Sequence, residues 1–127
     1  MPTDAQHMKK YKDNKSLLNS SEMNIETTKY HDWVVTVAFY SAVHIIEGEI
    51  FKNTTILGDH TKNHEQRSQI VASHDRFKNI RAQYNQLKTR CWVARYDAHC
   101  TRKDQAKKML EYLEQIENEL LDDEKTE

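Results

Sequence analysis

Seven histidines stand in a chain of 127 residues, and three of them, His60, His64 and His74, share one short stretch with Arg67. His60 is four before His64, His64 three before Arg67, and His74 seven beyond Arg67. On one continuous helix these intervals form a row along a single side. Such a row suits metal-independent attack of a ribose 2′-OH on its own phosphate. Imidazole titrates near neutrality and moves protons. A planar guanidinium matches phosphate oxygens and holds the developing phosphorane charge. The candidate catalytic set is therefore Arg67 as phosphate holder, with His74 or His64 as the proton carrier. The same spacing also describes solvated helix-face residues or caps. His60 and His64 have the i, i+4 spacing of a metal-binding pair, with Asp59 or Glu65 nearby. Yet the chain has no HExxH, no CxxC and no evident third and fourth ligand, so no metal or other cofactor is expected.

A second group carries cation and ring chemistry. Arg90 and Arg95 flank Trp92 in RCWVARY, and Arg95 and His99 are again i, i+4. Arg67, Arg90, Arg95, His60 and Tyr96 make up the candidate nucleotide- or RNA-contacting set. The aromatic residues Trp33, Tyr40, Tyr84, Trp92 and Tyr96 lie at helical spacing, for which core packing is expected over base stacking. His44 falls on the face of Trp33, Val37 and Tyr40. It is expected to be a core histidine bonded to Glu47 or to a carboxylate or hydroxyl of another helix.

These residues need helices to position them. With 2 Gly and 1 Pro, the Pro at position 2, an all-β fold lacks its turn residues, and no P-loop or dinucleotide fingerprint can be built. The length suits one domain spanning 1–127, with 1–6 and 122–127 frayed. Hydrophobic spacing predicts helices over 3–21, from Thr27 or Thr28 to Lys52, over 62–74, over 76–97 and over 101–122. The expected caps are Thr3 or Asp4, Thr27 or Thr28, and Asp59 or Thr61, with a break near Ser73–Asp75 capped by Ser73 or Asp75. The second helix is apolar nearly all round and reads as the centre of the bundle. The last carries Ala106, Met109, Leu110, Leu113, Ile116 and Leu120. The fold expected is all-α, an up-and-down bundle of four to five helices around a long central apolar helix. No run is read as approaching a membrane span, and the first residues lack the apolar stretch of a secretion signal. Cys91 and Cys100 form no framework pattern, so free thiols and a cytoplasmic setting, without a membrane, are expected.

The net charge of −1 conceals a segregation. Residues 60–108 carry 12 Lys+Arg against 4 Asp+Glu, and residues 109–127 carry 1 against 8. The basic block is a candidate phosphate footprint. The competing expectation is that the acidic end packs beside it and neutralises it.

The residues HDWVVTVAFYSAVHIIEGEIF (His31 to Phe51), HTKNHEQR (His60 to Arg67) and YNQLKTRCWVARY (Tyr84 to Tyr96) come in order. This series resembles small prokaryotic members of the HEPN domain family (higher eukaryotes and prokaryotes nucleotide-binding). They share a Trp, a Tyr-Ser/Ala-Ala-x-His stretch, His-x-x-Arg, Tyr-x-x-Leu and an Ala-Arg-Tyr ending. The resemblance covers about half the chain, residues 31–96. It implies a bundle of four or five helices, commonly a homodimer. Many members look like RNases of toxin–antitoxin, CRISPR or other defence systems, with two Arg-x4–6-His motifs meeting across the dimer. Arg67, followed by the polar Ser68, and His74 match that motif in letter. The family motif usually lies near the start of the last helix, where this chain offers Arg95 and His99 with three residues between. Members without the motif look like partners of a nucleotidyltransferase, or binders of nucleotides. The resemblance thus implies either a non-catalytic module binding nucleotide, RNA or such a partner, or an endoribonuclease. A purely structural dimeric bundle is the third expectation.

Overall fold

A computed structural model describes residues 4–20, 23–26, 30–59, 61–96 and 101–121. Five α-helices follow one another: α1 (Asp4–Leu18), α2 (His31–Lys52), α3 (His64–Ser73), α4 (Arg81–Tyr96) and α5 (Lys103–Leu120), with a 3-10 turn at Asp75–Phe77 between α3 and α4. No strand occurs among the described residues. The all-α bundle expected from periodicity is therefore what forms.

α2 is the axis. Val34, Val35, Ala38, Ala42, Ile46 and Ile50 have no exposed surface, and α1, α4 and α5 all pack on it. Its length and composition would allow it to cross a bilayer, which corrects the expectation that no run approaches a span. Most of it is buried within the bundle, as in a helix whose apolar faces are covered by neighbours. α5 buries Ala106, Met109, Leu113, Ile116 and Leu120, a 3-4-3-4 stripe along one face. Leu110, expected in that stripe, is only half-buried. Tyr84, Leu87 and Cys91 of α4 complete the core with Phe77 and Ile80.

Caps depart from expectation. Thr3, Thr27 and Thr28 lie outside the described residues. α2 starts after Tyr30 with no side-chain cap. α3 is capped by Asn63, whose Oδ1 accepts from the Gln66 N–H at 2.8 Å, rather than by Asp59 or Thr61. The short Asn side chain reaches the third amide of the helix directly. The break after Ser73 occurs where expected, but His74 supplies the cap there: its Nδ1 accepts from the Arg76 N–H at 3.1 Å. Ser73 instead donates to the Gln69 carbonyl at 2.7 Å. Gly58, at φ 69°, turns the loop between α2 and α3.

Candidate functional site

The third helix is attached to the bundle by Arg67. All three nitrogens of its guanidinium are committed within the chain. Nε donates to the Tyr84 hydroxyl at 3.0 Å. One terminal nitrogen donates to Glu47 Oε1 at 3.3 Å, and the other to His64 Nδ1 at 2.6 Å. Arg67 is 6% exposed, and so is Glu47. The Thr61 hydroxyl donates to the same Glu47 oxygen at 2.5 Å. The cluster thus joins α2, α3, α4 and the loop before α3. A buried carboxylate and guanidinium must pair in this way, because either alone would carry a large desolvation penalty.

This arrangement changes what the histidine–arginine row can do. Arg67 faces inward, with each of its nitrogens already engaged inside the chain, so it is not laid open to a phosphate. His64 is exposed, but its Nδ1 lone pair is taken by Arg67, which can only donate. Its ring proton, when neutral, is therefore on Nε2. His74 does not continue the row: α3 ends at Ser73, and His74 has extended backbone. Its Nε2 lies 3.3 Å from the Thr55 carbonyl and Nδ1 already accepts from Arg76, which assigns the neutral Nε2–H tautomer. Arg81 donates to the carbonyls of Val71 (2.7 Å) and His74 (3.1 Å), closing the end of α3. Arg67 and His74 face different neighbours and do not converge. His60 and His99 lie outside the described residues. Arg95 and Tyr96 end α4, their side chains also outside the description. Arg90 is half-buried on α4.

Two arginines of the basic block are neutralised by the central helix. Arg67 pairs with Glu47, and Arg76 pairs with Glu49 at 3.0 Å. From the acidic end, Glu111 pairs with Lys108 at 3.4 Å, Glu119 accepts from Asn79, and the Leu120 carbonyl accepts from Arg76. Glu117 instead binds the Tyr11 hydroxyl and Lys15 of α1. Glu26, held by Lys103 at 2.9 Å and Lys107 at 2.6 Å, has its carboxyl lowered to about 2 by those two ammonium groups.

His44 bonds across to an imidazole of α1, rather than to Glu47 or to a carboxylate or hydroxyl of another helix. Its Nδ1 lies 3.0 Å from His7 Nδ1. Burial lowers its pKa below the ordinary histidine value, and the charges of His7 and Lys10 add to this.

Aromatic packing is the other departure. Tyr84 is fully buried, but Trp33 is 60% and Trp92 64% exposed, against the expectation of core packing. Both tryptophans lie toward one end of the bundle. Phe39 and Tyr84 touch, with ring centroids 5.9 Å apart, and α2 and α4 run antiparallel there. Trp33 lies six residues back along α2 and Trp92 eight residues on along α4, roughly 9 and 12 Å at the helical rise. Asp32, beside Trp33, accepts from the Thr101 N–H at 2.9 Å, just beyond the end of α4. Trp92 is one turn past Lys88, which donates to Ser68 of α3 at 3.2 Å. One sequence sign of exposure was available: Trp92 stands off the Tyr84–Leu87–Cys91 stripe.

No family model, curated protein or solved structure matches the chain.

Proposed function

We propose that the chain is a HEPN-like helical module of a nucleotide- or RNA-related system that acts by binding, with no catalysis of its own, and that it pairs with a second copy through its aromatic end. One observation carries the non-catalytic reading: every nitrogen of the Arg67 guanidinium already has a partner inside the chain. A phosphate-holding arginine needs open, outward donors. His64 spends its lone pair on Arg67 and His74 caps a helix, so neither histidine is placed to share a scissile ribose with that arginine.

The exposed tryptophans support the pairing. Large exposed aromatic rings are the usual anchors of protein interfaces. A nucleotidyltransferase-like partner, the other occupant the resemblance implies, would use the same chemistry.

Sedimentation velocity over a wide concentration range tests this reading. The chain is expected to dimerise, and a Trp33→Ser, Trp92→Ser double variant to remain monomeric with its urea midpoint unchanged. A monomeric parent, or a variant that still dimerises, would contradict the pairing. The catalytic alternative has its own readout. RNA incubated with the chain in EDTA is expected to stay intact. Products with 2′,3′-cyclic phosphate ends that vanish in His64→Ala and His74→Ala variants would establish the endoribonuclease instead.

A further inference from the structure

We propose that His7 and His44 form a proton-operated latch that holds α1 on the central helix and releases it on mild acidification, while the rest of the bundle stays folded. The latch is a hydrogen bond between two like atoms. His7 Nδ1 and His44 Nδ1 are 3.0 Å apart, with ring centroids 5.3 Å apart and planes tilted by 38°. Such a bond exists only while one of the two Nδ1 atoms carries a proton and the other does not. With both rings as imidazolium, two N–H groups point at each other and two cations meet at a site where His7 is 6% exposed. The pair can therefore take up its last proton only by separating.

The surroundings oppose that proton. On α1, Lys10 adds positive charge near His44, and Arg67 of α3 acts in the same sense. Glu47, one turn along α2, acts in the opposite sense, but it is already engaged by Arg67 and Thr61. Glu49 and Lys52 of α2 line the small cavity shared with Met8 and His44, and they pair with each other. From α5, Leu120 and Leu121 close the cavity and bring no charge.

α1 has few buried apolar side chains of its own. Its side chains are mostly polar, and among its residues with described side chains only His7 and Leu18 are buried. Its other tethers to the bundle, Tyr11 and Lys15, meet on the single carboxylate of Glu117. The core of α2, α4 and α5 holds together through apolar contacts that no proton affects. A helix with few buried apolar side chains opens locally at lower cost than the core.

Amide hydrogen exchange of the full chain between pH 7.5 and 5.0, corrected for intrinsic rates, tests the latch. Protection of residues 5–18 is expected to fall about tenfold per pH unit once the pair resists protonation, as one-proton linkage requires. Protection of α2, α4 and α5 is expected to hold. A His44→Gln variant should keep α1 protected at pH 5.0, and His7→Gln provides the same check from the other helix if the first fails to fold. Constant protection of α1 would overturn the proposal, as would simultaneous loss in α1 and the core, or equal loss in both variants.

Discussion

Arg67 and Glu47 meet at 3.3 Å across the seam between α3 and α2, both almost entirely out of water. The pair converts the most reactive-looking arginine of the sequence into an anchor. A guanidinium held by a carboxylate, a phenol and an imidazole is satisfied in its planar donor geometry. Its removal leaves a buried charge without its counter-ion.

Arg67→Ala and Glu47→Ala are each expected to destabilise the fold by about 3–5 kcal/mol, the range for breaking a buried pair from one side. The double variant Arg67→Met, Glu47→Leu should be more stable than either single variant, since no charge is stranded. Urea unfolding followed by circular dichroism checks the order. Additive losses would show that the two residues act independently.

Stability should decline on acidification through the histidine range. The folded-state pKa of His44 lies below its ordinary value of 6.5, so below that pH the unfolded chain binds a proton that the folded chain resists. Stability is therefore complete above the unfolded pKa and is lost as pH falls toward the folded one. Urea midpoints at pH 7.5 and 5.5 should differ in that sense, and the difference should shrink in His44→Gln. A midpoint that rises on acidification would contradict the assignment.

Glu26 is exposed and titrates low only because Lys103 and Lys107 surround it. Carboxyl chemical shifts should give a midpoint near 2 at low salt. In high salt the midpoint should move toward 4.5, because screening weakens pairs in water. A midpoint insensitive to salt would point to a cause other than these two ammonium groups.

The cap of α3 is a single side chain, Asn63. Asn63→Ala is expected to cost about 1 kcal/mol. Asn63→Asp should preserve stability, because a carboxylate accepts the same amide and faces the helix dipole favourably. Thermal melts of the two variants separate capping from a mere change of loop surface, which would affect both alike.

What the sequence made legible was whatever depends on neighbours within two turns. The α5 stripe from Ala106 to Leu120, the apolar run of α2 and the break at Ser73 all follow from local spacing. The inward turn of Arg67 did not, because Glu47 and Tyr84 stand 20 and 17 residues away and only packing joins them. His74 looked like a fourth member of a row because a row assumes one unbroken helix, and α3 stops one residue short of it. His44 found His7, 37 residues away, in preference to the carboxylate one turn along its own helix. The exposure of Trp33 was hidden for another reason: a tryptophan at the head of the apolar run of α2 reads as core.

The most direct measurement is on the Arg67 side chain itself, by following its Nε–H resonance in a 15N-labelled sample as single-stranded RNA or inorganic phosphate is added. A structural anchor predicts a slowly exchanging signal, broken by Tyr84→Phe and unmoved by either anion. A signal that exchanges freely with water and shifts on addition of RNA would place Arg67 in a phosphate site and contradict the account.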